Sequence, residues 1–222
     1  MTKQINIVST KKLLSNQKEE LVKANINLIE ESFIETNIKN FELTTVSDYL
    51  IFTSQNAVTS VLNHPKVEEL KLKNVFSVGM KTKELLSQNG FNVIAYTGYA
   101  ADLAEIITLI YPLEQFTFFS GNLRRDVLPE TLKQNNIVFN EIEVYETILT
   151  STKITKKIDG ILFFSPSAVE SYFKMNTIKD EPCFCIGETT AEALENKKVK
   201  TIVIADKPSV ENVIAEVVEY YN

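Results

Sequence analysis

The chain has 222 residues, 44% of them hydrophobic and 23% charged, with a formal net charge of −6. It has no run of about 18 apolar residues that could span a membrane. The acidic balance argues against sequence-independent nucleic-acid binding, which needs a basic surface.

From the N-terminus, Met1–Val8 lacks a signal-peptide apolar segment and reads directly as a first strand, Ile5–Ser9. Strands are then predicted at Asn27–Ile34, Tyr49–Thr53, Val75–Val78 and Asn92–Tyr96, with helices over Lys81–Asn89 and Ala101–Ile110. His64 is the only histidine; lying before Pro65 in an irregular stretch, it reads as solvated, so neither a His-based triad nor a His metal site is expected. The second half gives strands at Phe116–Ser120, Ile137–Tyr145, Gly160–Phe164, Cys183–Ile186 and Thr201–Ile204. Its helices are predicted over Arg124–Asn135, Thr189–Asn196 and Val210–Tyr221. Ser151–Lys157 is the most polar stretch and reads as a solvated loop. Cys183 and Cys185, one residue apart on an apolar run, are expected to point to opposite faces of a strand, as two buried structural thiols in a reducing cytosol rather than a metal site. Short apolar strands alternating with amphipathic helices indicate parallel sheets covered on both faces.

The halves repeat at an offset of 111 residues. Ile7-Val8-Ser9 meets Phe118-Phe119-Ser120, Ile34-Glu35-Thr36 meets Tyr145-Glu146-Thr147, and Ile51–Val58 meets Leu162–Val169. The register then slips to 108, where Val78–Thr82 meets Ile186–Thr190. So long a period is one α/β domain used twice. Two copies create a cleft between them, a favoured place for ligands.

Small polar residues recur at the predicted strand ends. They are Thr53-Ser54-Gln55-Asn56, Gly79 with Thr82, Ser120-Gly121-Asn122, Ser165-Pro166-Ser167, and Gly187 with Thr189-Thr190. In open α/β sheets the binding crevice lies beyond the carboxyl ends of the strands. Each of these ends can cap a helix and leave backbone N–H groups outward, which binds carboxylate or phosphate without a lysine. Ordinary capping explains any one of them; recurrence in both copies favours a shared anion-binding surface. There is no Gly-x-Gly-x-x-Gly, no P-loop and no Gly-x-Ser-x-Gly elbow, so nicotinamide, nucleotide and serine-nucleophile readings lose their fingerprints.

Six segments then occur in order: Leu50–Val58, Val78–Thr82, Ser120–Pro129, Val144–Thr147, Phe163–Val169 and Ile186–Leu194. Together they resemble the uroporphyrinogen-III synthase family over essentially the whole chain. The resemblance implies two similar flavodoxin-like parallel-sheet α/β domains from an internal duplication, joined by a two-stranded linker. Domain 1 would be discontinuous, residues 1–33 plus 150–222, and domain 2 would be 41–143. Residues 34–40 and 144–149 would be the linker strands, forming a hinge. It also implies closure of the linear tetrapyrrole hydroxymethylbilane with ring D inversion and loss of water, without cofactor or metal.

By the same resemblance Tyr145, whose repeat mate is Ile34, would be catalytic, donating a hydrogen bond or proton to the departing hydroxyl. Thr53, Ser54, Thr82, Gly121, Asn122, Ser165, Ser167, Thr189 and Thr190 would bind substrate. Lys81, Arg124 and Arg125 would either add positive potential or be solvated charges. The start departs from the family's Thr-Arg-Pro, reading Ser9-Thr10-Lys11-Lys12, so Lys11 or Lys12 would stand in for the arginine. A cytoplasmic monomer, with no nucleic-acid or membrane partner, is expected. The alternatives are a non-catalytic two-lobed binder of small anions and a sugar-phosphate enzyme.

Overall fold

The computed structural model describes residues 4–222, so Met1, Thr2 and Lys3 of the expected N-terminal start lie outside the described residues. The elements run β1 (Ile5–Ser9), α1 (Ser15–Lys23), β2 (Ile26–Glu30), β3 (Ile34–Ile38), β4 (Tyr49–Phe52), α2 (Gln55–Leu62), α3 (Val67–Lys71), β5 (Asn74–Val78), α4 (Met80–Gln88) and β6 (Asn92–Thr97). They continue with α5 (Ala100–Ile110), β7 (Gln115–Gly121), α6 (Val127–Gln134), β8 (Val138–Leu149), β9 (Gly160–Phe163), α7 (Pro166–Met175), β10 (Cys183–Cys185), α8 (Glu188–Asn196), β11 (Ile202–Ile204) and α9 (Val210–Tyr221). The chain divides into two compact units, Met1–Glu35 with Ile148–Asn222, and Thr36–Thr147.

The first unit holds a parallel sheet in the order β11-β10-β9-β1-β2. In the chain's own order this is 2-1-3-4-5, the flavodoxin-like arrangement. Successive side chains on a strand go to opposite faces, and each face is covered. Ile7, Leu162 and Phe184 join α1 and α9 through Leu21, Val213 and Val217. Val8, Ile161 and Phe163 join α7 and α8 through Val169, Tyr172 and Leu194.

The second unit is built the same way, on a sheet ordered β3-β8-β7-β4-β5-β6. Leu50, Phe52, Val75 and Phe119 pack beneath α2 and α4, while Ile51, Phe76, Phe116 and Phe118 pack beneath α5 and α6. Phe52 stacks on Phe119 at 5.0 Å between ring centroids. Position by position, β6-β5-β4-β7-β8 repeats β11-β10-β9-β1-β2, so the sequence repeat is a repeat of sheet topology.

Four sequence expectations change. The strand expected over Asn27–Ile34 breaks after Glu30, because Phe33 turns into the core, fully buried, with its ring 5.2 Å from Tyr172 and its N–H on the Thr10 carbonyl at 3.2 Å. The helix expected from Arg124 starts at Val127. An earlier start would put Pro129 in the helix interior, where it would cost a hydrogen bond and clash with the preceding turn. His64 is half-buried rather than solvated: its ring stacks on Phe41 at 4.8 Å, and Nδ1 accepts from the Lys66 N–H at 3.1 Å. Cys183 and Cys185 share one face, with Phe184 on the other, since positions two apart on a strand point the same way.

The Ser151–Lys157 stretch is irregular as expected, yet Ile154 packs against the core and its N–H reaches Asn176 Oδ1 at 2.8 Å. Among the described residues no helix is long and apolar enough to cross a membrane, and no three His, Cys, Asp or Glu side chains gather as a metal-holding group.

Both cysteines are free and buried. Burial pushes the Cys185 thiol up to about 11 and raises Cys183 as well. A thiol reagent at pH 8 should therefore leave both unmodified in the native protein and modify both after denaturation, counted by mass spectrometry.

Candidate functional site

In a parallel sheet every strand presents its carboxyl end on the same edge, so the strand order decides which loops meet. In the first unit that edge carries Ser165 and Ser167 after β9, and Gly187, Thr189 and Thr190 after β10. In the second it carries Thr53 and Ser54 after β4, Gly79 and Thr82 after β5, Gly121 and Asn122 at the end of β7, and Tyr145 opposite Gly121.

Two kinds of helix start occur among these candidates. Ser54 caps α2, its hydroxyl accepting from the Asn56 N–H at 3.1 Å. Its repeat mate Ser165 caps α7, accepting from the Ala168 N–H at 3.2 Å and meeting the Ser167 hydroxyl at 3.0 Å. These helices satisfy a first-turn donor from their own sequence. By contrast α4 and α8 begin at Gly79 and Gly187 with no side-chain cap hydrogen bond. Their first-turn N–H groups are the kind of donor that takes a carboxylate. Gly79 sits at φ 86°, a left-handed backbone that favours glycine. Gly187 is extended, and a Cβ built there would meet nothing within 4 Å, so its backbone stands open.

The remaining candidates separate by burial. Thr82 and its mate Thr190 are buried inside the first turns of α4 and α8, whereas Thr53 and Thr189 are half-buried at the edge. Asn122 is exposed, but its amide is already used: Oδ1 accepts from the Thr147 N–H at 2.8 Å and Nδ2 donates to the Thr147 carbonyl at 3.2 Å. Tyr145 is half-buried on β8, with its ring packed over Gly121.

The cations fall differently from either sequence expectation for Arg124. Its guanidinium gives Glu141 two hydrogen bonds, at 2.6 and 3.0 Å, and also pairs with Asp126. The Glu141 hydrogen bond comes first in raising the Arg124 pKa. Partial burial pushes the Glu141 carboxyl upward, but hydrogen bonds from Arg124 and Ser120, with the Arg124 charge, outweigh it and hold the group below its ordinary value. Arg124 thus ties the loop after β7 to β8. Lys81, Lys11 and Lys12 are exposed, and the Lys11 ammonium lies 5.4 Å over the Phe164 ring. Arg125 is also exposed and engages a partner.

A family model described as uroporphyrinogen-III synthase HemD matches residues 16–215. The chain belongs to the uroporphyrinogen-III synthase family. It is accordingly an enzyme, a lyase of tetrapyrrole biosynthesis. A uroporphyrinogen-III synthase of Chlorobaculum parvum is 28% identical over 193 residues, covering 75% of this chain and 78% of that protein. One from Saccharomyces cerevisiae is 25% identical over 210 residues, covering 78% and 76%. The crystal structure of uroporphyrinogen-III synthetase from Helicobacter pylori superposes with a TM-score of 0.72 over 97% of this chain and 99% of that one. At 22% identity that likeness is one of fold.

Sequence reasoning missed the Asn122–Thr147 pairing and the Arg124–Glu141 lock, both of which join residues brought together only by the β7–β8 ladder. If the Ser165 hydroxyl does its work as a cap, Ser165→Ala should lower stability by about 1 kcal/mol, read from urea unfolding.

Proposed function

We propose that this chain closes hydroxymethylbilane to uroporphyrinogen III, with inversion of ring D and loss of water, and that Tyr145 is the proton donor to the departing hydroxyl. The linear precursor also closes unaided, to the uninverted isomer. The enzyme's task is therefore to favour one geometry of attack, a matter of positioning more than of added reagents. A phenol suits the leaving group, since it donates a proton or hydrogen bond without first gaining charge. The observation that carries the assignment is the setting of Tyr145. It is a half-buried phenol beside the carboxyl end of β7, where its repeat mate Ile34 offers only a hydrocarbon.

The substrate's carboxylates would be held by the uncapped starts of α4 and α8, with Thr53, Ser54, Ser165, Ser167 and Thr189 at the same edges. Backbone N–H groups explain how an acidic protein, with a net charge of −6, binds a polyanion. Thr82 and Thr190 would act from within, bracing those two helix starts.

The test is to supply hydroxymethylbilane enzymatically and separate the oxidised porphyrin isomers. Excess type III over type I is expected, while type I alone would reject the activity and leave only a binder. Tyr145→Phe should lower kcat on the order of 100-fold without altering the thermal midpoint; unchanged turnover would remove its role as acid.

A further inference from the structure

We infer that Gly121 and Asn122 form a clamp that holds the Tyr145 phenol in place, and are positioning residues rather than substrate contacts. This rests on the assignment of Tyr145 as proton donor.

Along the β7–β8 ladder Ser120 stands opposite Glu143, but Gly121 stands opposite Tyr145. Val144 is thus an extra residue, a bulge that re-aims the side chain after it. It is fully buried, and its carbonyl accepts the Lys39 N–H at 3.0 Å, so the bulge is fixed from the far side of β8. Tyr145 then lies against the one residue of β7 that lacks a side chain. A Cβ built on Gly121 would stand 2.3 Å from Cζ of Tyr145, and 2.4 and 2.8 Å from Cε2 and Cε1. Cζ is the carbon that bears the hydroxyl. Gly121 is needed here for space, because any other residue would lift the reactive end of the ring off the strand.

Asn122 supplies the second point of restraint, at Thr147, two residues beyond Tyr145 on β8. Its carboxamide pairs with both the N–H and the carbonyl of Thr147. It extends the ladder past the bulge as another strand residue would, with a side chain in place of backbone. The ring is therefore bracketed, by close contact at residue 145 and by paired hydrogen bonds at residue 147. Arg124, held by Glu141 on β8, fastens the same loop at a third place. A side chain with its acceptor and a donor committed to the backbone is poorly disposed to bind substrate as well.

The test uses Asn122→Ala, whose exposed position keeps the variant foldable, alone and combined with Tyr145→Phe. Alone it should lower kcat about tenfold, with KM changed by less than about twofold, because a misplaced donor costs turnover and not binding. Added to Tyr145→Phe it should change kcat by less than about twofold, since two residues acting through one group are not additive. With 3-fluorotyrosine placed at position 145 alone, Asn122→Ala should shift or broaden the fluorine NMR signal at an unchanged thermal midpoint. Gly121→Ala should shift it further. A raised KM, or the same loss of kcat in both backgrounds, would make Asn122 a substrate contact or plain scaffold and overturn the clamp. So would an unmoved fluorine signal. Full turnover in Tyr145→Phe would remove the acid role alone, leaving the fluorine comparison to decide the clamp.

Discussion

Burial of both faces of each parallel sheet is the constraint from which the rest follows. A strand covered on two sides is mostly apolar, as in Gly160-Ile161-Leu162-Phe163, all of them buried, and a polar residue there needs a partner, as Thr117 finds in Asn140 and the Ser47 N–H. Ile161 and Phe163 go to one face and Leu162 to the other. Polar chemistry is thereby driven off the strands to their ends. Because the strands of each sheet other than β3 are parallel, their carboxyl ends fall on one edge. The serine caps and the glycine-started helices share that setting for the same physical reason, and Tyr145, though within β8, lies beside the carboxyl end of β7.

The duplication explains both the likeness and the useful difference. Phe33 and Val144 are repeat mates, and both are fully buried. In the first copy the chain turns inward at Phe33 and the strand breaks into β2 and β3. In the second the same position is absorbed as a bulge, and β8 runs on unbroken for 12 residues. Two backbone bonds, Lys39 N–H to the Val144 carbonyl and Thr150 N–H to the Phe33 carbonyl, are images of each other under the repeat. Their residue numbers run in opposite senses, so β3 lies antiparallel to β8. Only the unbroken copy can set a side chain against a glycine of the neighbouring strand, and only that copy carries a phenol there.

Helix starts show a second division of labour. Where serine precedes the helix, at Ser54 and Ser165, a hydroxyl takes a first-turn N–H. Where glycine does, at Gly79 and Gly187, those donors receive no side-chain cap. An anion at such a start is stabilised by fixed dipoles that do not change net charge. In the proposed function, that is how an acidic chain would hold a carboxylate-rich substrate.

Much of this was legible in the residues alone. Apolar runs and helix-start residues gave most elements to within a few positions, because local pattern acts along the chain; Tyr145 was singled out by the resemblance to the family, with the Ile34 mismatch beside it. What depended on neighbours distant in sequence was not legible. Arg124 reads as a free cation until β8 brings Glu141 to it, and His64 reads as solvated until Phe41 covers its ring. Gly121 and Asn122 read as loop residues open to a ligand. A one-residue bulge at Val144 turns them toward Tyr145 and Thr147 instead, since it re-registers β8 against β7 and so decides which side chains meet. The sequence by itself determined two α/β copies and where their polar ends fall, through periodicity and capping. Only the tertiary structure decided what those ends touch, because strand register is set by packing between segments far apart in the chain.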